Sequence, residues 1–300
     1  MSVQLRLSGL SDVGRVRSNN QDSMLAADLT MHREMGGFTE PILEFGVGDT
    51  LEMEVGPKGF LFLVADGMGG AQAGEVASHM AATGVYEELV TNWAAEPELA
   101  PDRFASRMAQ AVTEANRRIF EAAHNNPEYH GMGTTITVAG VLGDMLYLAQ
   151  VGDSRGYLVR RDDAVQLSRD QSVVEHLVRA GQMSQEEAAR SQRKNVLLQA
   201  MGTVADVEVD VSYQRLRSGD ALLLCSDGLS GVVGDAEIAD VVRSCSDPSI
   251  ACSELVALAN ARGGSDNVTV MVAEVTGPGL AQPTSDDLSL IHISEPTRLQ

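Results

Sequence analysis

Four aspartates stand where apolar, strand-like runs end or begin. The runs are FLFLVADGMGG around Asp66, LAQVGDSRGY around Asp153, ALLLCSDGLSG around Asp227, and NVTVMVAEV directly after Asp266. Three of these aspartates adjoin a glycine, a pairing that is typical of turns. A turn explains any one of them. If the four strand ends meet at one edge of a sheet, however, the carboxylates repel each other unless divalent cations lie among them.

The ligand type indicates which metal such a site would take. Carboxylate and backbone carbonyl oxygens suit Mg²⁺ or Mn²⁺, whereas zinc sites normally recruit histidine or cysteine. The six histidines of the chain show no ligand-like pairing. The pattern therefore favours hard cations, with the glycines beside Asp66 allowing a carbonyl to approach the same ion.

Two other interpretations of residues 60–78 remain open on spacing alone. A glycine-rich turn between a strand and a helix can bind a dinucleotide through the helix N-terminus. Gln72 occupies the last glycine position of a G-x-G-x-x-G run that starts at Gly67, which counts against this interpretation. The other interpretation is a tight turn followed by a helix cap.

A short polar stretch near the N-terminus, SDVGRVRSNNQDS, contains Arg17 and Asp22. An arginine in such a place can bind a phosphate through two parallel hydrogen bonds. It can also be a solvated surface arginine, which spacing alone favours.

The periodicity predicts blocks of helices and strands rather than a strict alternation. Apolar residues recur at helical spacing over residues 71–92 and 104–123, and again in 172–190 and 235–261. Residues 134–161 instead predict antiparallel strands joined at a Gly143-Asp144 turn. Blocks of this kind are typical of a layered α+β domain and argue against a doubly wound nucleotide-binding fold.

Composition limits the partners and the compartment. The formal net charge of −20 repels nucleic acid and anionic membranes, so neither is an expected partner. Three irregularly spaced cysteines do not form a disulfide framework, and no apolar run is long enough to span a membrane. We expect a cytoplasmic protein with one domain over residues 1–276. Residues 277–300 lack periodicity and predict a disordered tail or a segment foreign to the natural protein.

Seven motifs together resemble those of the metal-dependent protein phosphatases of type 2C in their bacterial form. In chain order they are RSNNQD, VADGMGGAQAGEVAS, GTTITVAGV, VGDSRGYLV, LSRDQS, LLLCSDGL and SDNVTV. The match spans residues 8–276. The resemblance implies a four-layer α-β-β-α sandwich of two antiparallel sheets, with the metal centre between their ends.

The resemblance also implies a role for each matching residue. Asp66 is similar to the carboxylate that bridges two Mn²⁺ or Mg²⁺ ions, with the Gly67 carbonyl on the second ion. Asp227 and Asp266 resemble the remaining ligands of the first ion. Asp153, together with Asp227, resembles the site of a weaker third ion.

Outside the ligand set, three further residues match. Asp22 resembles a residue that orients metal-bound water, and Arg17 resembles the phosphate-binding arginine. Asn267 adjoins a ligand and is expected only to support it.

Several positions depart from the family pattern. Gln21 replaces a metal-linked glutamate, and Met68 stands where some members have a histidine proposed as general acid. Ser191-Gln192 replaces His-Pro in the region of the mobile flap. The separation of Asp22 from Asp66 is long, so residues 28–58 predict an inserted or extended hairpin.

The function implied by the resemblance is hydrolysis of phosphoserine and phosphothreonine esters by a metal-activated water at a binuclear centre. The partners would be phosphorylated proteins, including a serine/threonine kinase and its substrates. Two alternatives stay open: a phosphatase-like binding module without catalysis, and a hydrolase of small phosphate esters.

Overall fold

The computed structural model describes residues 2–30, 42–43, 45–69, 73–96, 100–161, 163–283 and 291–293. In them the chain forms two antiparallel sheets that pack face to face, each covered by helices on its outer face. The α+β class and the four-layer α-β-β-α sandwich predicted from the sequence are therefore confirmed.

The first sheet contains strands from both ends of the domain. They are β1 (Gln4–Asp12), β4 (Leu51–Glu54), β9 (Arg155–Arg160), β10 (Asp163–Gln166), β12 (Ala221–Cys225) and β13 (Val268–Thr276). Their order across the sheet is β10-β9-β12-β13-β1-β4.

The second sheet is built mainly from the middle of the chain. Its strands are β2 (Asp22–Asp28), β3 (Ile42–Leu43), β5 (Phe60–Met68), β6 (Gly133–Thr134), β7 (Ile136–Leu142), β8 (Met145–Val151), β11 (Asp210–Arg215) and β14 (Ile291–Ile293). The order is β14-β11-β8-β7-β5-β2-β3, and β6 pairs with the end of β5.

Helices form the two outer layers and the connections. The second sheet is covered by α1 (Ala73–Leu89), its π-helical extension Val90–Ala94, and α2 (Pro101–Asn125), which a 3₁₀ turn follows at Pro127–Tyr129. The first sheet is covered by α6 (Asp235–Ser244) and α7 (Pro248–Ala261). Shorter helices are α3 (Val173–Arg179), α4 (Gln185–Arg190) and α5 (Asp227–Ser230). In the described residues, no helix has both the length and the apolar character needed to cross a bilayer.

Strand β5 shows why two sheets stack here. Phe60, Phe62 and Val64 point into the core between the sheets, whereas Leu61 and Leu63 point to the helices of the outer layer. Alternate residues of a strand face opposite sides of the sheet, so a continuous apolar run supplies two cores at once. The run ends at Asp66, where β5 reaches the edge of the sandwich.

The segment predicted as an inserted hairpin contributes an edge strand to each sheet. Strand β3 pairs with β2, and β4 pairs with β1 in the other sheet. Ser8 Oγ donates to the carbonyl oxygen of Asp49 at 2.7 Å, and Thr50 Oγ1 donates to Asp247. The pairing of β3 with β2 is the arrangement expected of a hairpin. Strand β4 instead pairs with the edge of β1 that would otherwise be exposed. Residues 31–41 of this segment lie outside the described residues.

Beyond Thr276 the described chain still packs on the sandwich. Leu280 is buried between the sheets, and the Ser218 amide donates to the carbonyl oxygen of Ala281 at 3.0 Å. The domain boundary at residue 276 and the tail predicted over residues 277–300 stay predictions, and residues 284–290 and 294–300 lie outside the described residues.

Candidate active site

Asp66 is held at the end of β5 by its backbone. Its amide donates to Thr135 Oγ1 at 3.1 Å, and its carbonyl oxygen accepts from the Thr135 amide at 2.9 Å and from Thr134 Oγ1 at 2.8 Å. The carboxylate takes no part in these bonds. Local structure therefore fixes where the side chain starts and leaves its oxygens available to a ligand.

Gly67 is a glycine because its surroundings leave no room for a side chain. A Cβ atom here would lie 2.2 Å from the carbonyl oxygen of Gly74 and 2.5 Å from that of Gln21. The Gly67 amide donates to the same Gln21 oxygen at 3.1 Å. Close approach of three backbone segments thus explains the glycine that follows Asp66.

Asp22 faces Asp66 across the β2–β5 pair, where the two residues are direct partners. Its Oδ2 accepts hydrogen bonds from Ser226 Oγ at 2.8 Å, directly after β12, and from Thr269 Oγ1 at 2.7 Å, in β13 of the first sheet. Its Oδ1 is buried and has no hydrogen-bond partner among the described residues. Oδ2 therefore links β2 to residues of the other sheet and its following turn, and Oδ1 is available to water or a ligand.

Arg17 lies in the loop after β1 and is paired with Asp266. Its Nη2 donates to Asp266 Oδ2 at 2.8 Å, and about half of the side chain is exposed, at 52%. A guanidinium has five N–H donors, so this contact leaves others for a bound anion.

Asn267 holds the same loop in place. Its Oδ1 accepts from the Gln21 amide at 2.9 Å, and its Nδ2 donates to the carbonyl oxygens of Val13 at 3.0 Å and Asn19 at 2.9 Å. The role predicted for Asn267 is to support the neighbouring ligand. These hydrogen bonds offer a way to do so, because one amide side chain fixes both ends of the Arg17 loop.

Asp227 and Asp153 complete the group. Asp227 is the first residue of α5, directly after β12, and Asp153 lies in the turn between β8 and β9. The turn around Asp153 is fixed by Gln171, whose Oε1 accepts from the Gly152 amide at 2.8 Å and whose own amide donates to the Gly152 carbonyl oxygen at 2.9 Å.

The charges of these carboxylates raise one another's pKa values. Burial raises the pKa of Asp66 well above its ordinary value, and the charges of four other aspartates raise it further: Asp22, Asp227, Asp153 and Asp266. Burial likewise raises the pKa of Asp22 to about 7 and that of Asp153 to about 7, with the charge of Asp227 adding to both. Mutual repulsion of this kind is relieved by a bound cation.

Asp227 has cationic neighbours as well. Burial and the charge of Asp266 raise its pKa, whereas a hydrogen bond with Asp66 and the charges of Arg17 and Lys194 lower it. Lys194 lies beyond α4, in the region that the sequence places in a flap. That region therefore brings positive charge within reach of the site.

The residues fit a hard cation in chemistry. The proposed donors are carboxylates and one backbone carbonyl, and beside them Asp22, expected to orient a bound water, has a buried Oδ1 without a hydrogen-bond partner among the described residues. Across the described part of the chain, no group of three or more histidine, cysteine, aspartate or glutamate side chains is arranged so that it could hold a metal ion.

Comparison with known proteins agrees with this arrangement. The family model of protein phosphatase 2C matches residues 48–258. The serine/threonine phosphatase stp of Listeria innocua is 38% identical over 214 residues, which cover 71% of this chain and 84% of that protein. The chain belongs to the protein phosphatase 2C family.

Solved structures of phosphatases share the fold. The serine/threonine phosphatase of S. agalactiae superposes with a TM-score of 0.74 at 34% identity, covering 90% of this chain and 99% of that one. The catalytic domain of the phosphatase PstP in complex with two manganese ions superposes with a TM-score of 0.70 at 32% identity, covering 92% of this chain and 100% of that one. The two manganese ions of that neighbour support a metal requirement in the protein phosphatase 2C family.

The residues whose hydroxyl groups form hydrogen bonds to the aspartates were not predicted from the sequence. Thr135 fixes Asp66, while Ser226 and Thr269 fix Asp22. All three lie inside motifs that the resemblance uses, but hydroxyl residues in strands give no local signal of their partners. For this protein phosphatase 2C member they are positioning residues.

Proposed function

We propose that the chain hydrolyses phosphoserine and phosphothreonine esters of proteins at a binuclear Mn²⁺ or Mg²⁺ centre. The observation that carries the proposal is the gathering of strand-end aspartates around Asp66, with Arg17 beside Asp266 at its edge. A family name alone would not distinguish an active enzyme from a binding module. A retained set of carboxylates that repel one another favours the enzyme, since such a set is costly unless it binds cations.

The ligand assignment follows the sequence. Asp66 and the Gly67 carbonyl, with Asp227 and Asp266, would hold the two cations, and Asp153 with Asp227 would hold a weaker third. When bound, two such cations lower the pKa of a water molecule and hold it in line with phosphorus.

Asp22 is placed to handle the proton of the attacking water. Hydrogen bonds from Ser226 and Thr269 fix Oδ2, so Oδ1 is the oxygen that can accept a hydrogen bond from water. Its orientation is set before substrate arrives, and preorganised groups of this kind need no rearrangement during the reaction.

Arg17 is placed to bind the phosphate group. Its contact with Asp266 orients the guanidinium toward the aspartates, while half of the side chain stays open to solvent. Binding of the non-bridging oxygens through two N–H groups would fix the phosphorus relative to the attacking water.

Protonation of the leaving oxygen does not depend on a side chain next to Gly67. Met68 occupies that position, and a thioether has no proton to donate. We propose that the serine or threonine alkoxide takes its proton from solvent in the open site.

The substrates would be phosphorylated proteins, including a serine/threonine kinase and the targets of that kinase. A cytoplasmic location is supported by the three cysteines, which are all free. Burial raises the pKa of Cys225 to about 12, so this thiol, close to Asp227 in sequence, is not a nucleophile at neutral pH.

The decisive experiment measures phosphate release from a phosphoserine and phosphothreonine peptide panel beside small phosphate esters. Activity should need Mn²⁺ or Mg²⁺, disappear in EDTA, return on adding metal, and survive alkylation of exposed thiols. Full activity in EDTA would overturn the metal mechanism. Hydrolysis of small esters without phosphopeptides would replace the protein substrate, and no hydrolysis in any metal would favour the binding module.

A further inference from the structure

Most of the large exposed apolar residues lie in segments that contact residues of the candidate site. In the described part of the chain, eight large apolar residues are exposed: Val13, Val16, Val47, Met68, Val196, Leu198, Val204 and Ile250. Single exposed apolar residues are normal on protein surfaces. Six of these eight, however, lie in segments that are tied to site residues, and these six are called the apolar rim: Val13, Val16, Met68, Val196, Leu198 and Val204.

The Arg17 side of the rim is fixed to Asp266. The amides of Arg15 and Val16 both donate to the carbonyl oxygen of Gly264, at 2.7 and 3.2 Å. Val13 is fixed through Asn267, which follows Asp266. Val16 is 70% exposed although it adjoins the arginine proposed to bind phosphate.

The Asp153 side of the rim is fixed through Gln171. The Leu198 amide donates to the Gln171 carbonyl oxygen at 2.7 Å, and the Gln171 side chain in turn holds Gly152. Leu198 is 54% exposed. Val196 lies two residues before Leu198 in the same segment. Its carbonyl oxygen accepts a hydrogen bond from the Val173 amide at 2.9 Å.

The Gly67 side of the rim comes from the end of β5. Met68 pairs with Gly133, and a Cβ atom at Gly133 would lie 2.9 Å from Thr203 Cγ2 and 3.4 Å from Met68 Cγ. Met68 and the segment of Val204 are therefore neighbours. Three separate segments that carry exposed apolar residues thus contact residues of the site.

We infer that the apolar rim is the docking surface for the polypeptide on either side of the phosphorylated residue, and that it selects substrates with aliphatic side chains there. This inference rests on the proposed function. The occupant follows from continuity with the site, because a phosphoserine bound at Arg17 places its neighbouring residues on the surrounding surface.

Charge supports the same occupant. A chain with a net charge of −20 gains little long-range attraction for a phosphorylated, acidic partner. Apolar contact does not depend on the sign of the partner's charge, and it is hardly screened by salt. A small phosphate ester carries no flanking residues and so cannot use the apolar rim.

The test compares two phosphopeptides that differ only in flanking leucine and valine versus serine, with p-nitrophenyl phosphate as a third substrate. The variants are Leu198→Ser and the double variant Leu198→Ser/Val204→Ser. The matched control is Ile250→Ser, since Ile250 is 44% exposed like Val204 but lies at the start of α7, outside the apolar rim.

We expect the native enzyme to prefer the apolar-flanked peptide by about 10-fold in kcat/KM, at low salt and at high salt alike. The variants should lose most of this preference through KM and keep their rate on p-nitrophenyl phosphate, and Ile250→Ser should behave as native. Equal kcat/KM for the two peptides, or a preference that survives in the double variant, overturns the inference while leaving the phosphatase intact. Absence of phosphopeptide hydrolysis by the metal-loaded native enzyme instead overturns the proposed function.

Discussion

The Thr135 hydroxyl lies 2.6 Å from the Ser154 hydroxyl and joins the segment of Asp66 to that of Asp153. Thr135 Oγ1 also accepts from the Asp66 amide, and both hydroxyl residues are buried. Ser154 is anchored in turn, because its carbonyl oxygen accepts from Thr137 Oγ1 at 2.6 Å and from Gln150 Nε2 at 3.0 Å. The carboxylate proposed to bridge two cations and the one proposed for a third thus share a single buried connection.

Thr135→Val should loosen both carboxylates without changing the size of the side chain. Buried partners left without a hydrogen bond cost about 1–3 kcal/mol, so the free energy of unfolding should fall by that amount. Calorimetric titration with Mn²⁺ should show weaker binding. Thr135→Ser keeps the hydroxyl and should bind Mn²⁺ as the native chain does. If both variants bound metal equally well, the connection would have no role in the site.

Asp66→Asn and Asp227→Asn should each lower kcat by several orders of magnitude, because each removes a charged ligand from the proposed pair of cations. The same changes should raise the melting temperature of the protein in EDTA, since they remove one of the mutually repelling charges. Asp163→Asn, on the exposed strand β10, is the control. A loss of kcat accompanied by a fall in metal-free stability would point to damaged folding rather than a lost ligand.

Arg17→Ala should raise KM for phosphopeptides about 10-fold or more, the expected effect of losing a hydrogen bond to a charged group. Its effect on kcat should be smaller, because the proposed role of Arg17 is to bind phosphate before the reaction. Arg117→Ala removes the same charge from an exposed ion pair on α2 and should leave KM unchanged. An unaltered KM in Arg17→Ala would assign Arg17 to holding Asp266 only.

Asp153→Ala should leave the paired cations in place and raise the metal concentration needed for half-maximal rate. The proposed third cation would have fewer charged protein ligands, so it should be the first to be lost as metal is diluted. Calorimetry should show one weak binding event fewer than in the native protein. An unchanged metal titration with only a lower melting temperature would make Asp153 a turn residue.

The stability of the metal-free protein should depend on pH in an unusual direction. The pKa of Asp22 and that of Asp153 are raised to about 7 in the folded chain, well above the value near 3.8 expected when it is unfolded. Between these values the folded state holds more protons, so stability falls as pH rises through about 7. In EDTA the melting temperature should therefore be higher at pH 6 than at pH 8.

Two controls check this pH dependence. Asp22→Asn should weaken it, because one of the two titrating groups is gone. Saturating Mn²⁺ should reverse it, since cations bind the deprotonated carboxylates. A metal-free melting temperature that rises from pH 6 to pH 8 would contradict the raised pKa values.

The local sequence predicted the main helices and strands, and it predicted that the aspartates lie at the ends of strands. The apolar run before Asp66 had to be a buried strand, and a carboxylate can follow such a strand only at its end. Helical spacing likewise predicted α1 and α2. Hydrophobic periodicity is a property of residues that are close in sequence, so these helices and strands could be predicted without knowing how they pack.

Partners distant in sequence could not be predicted in this way. Asp22 is separated from Ser226 by 204 positions and from Thr269 by 247. Which hydroxyl meets which carboxylate depends on how the two sheets stack, and no single strand encodes that. The sequence also did not predict that the inserted segment contributes a strand to each sheet. Strand β4 pairs with β1, which is not its neighbour in sequence.

The pairing of Arg17 with Asp266 spans 249 positions and has a consequence for synthesis of the chain. A ribosome that has produced every residue through α7 has still not delivered Asp266 or the strand β13 that lies between β1 and β12. A nascent or truncated polypeptide therefore has no assembled site, however much of it has folded. Catalytic competence arises only when nearly the whole domain has been translated, and prematurely terminated products are inert.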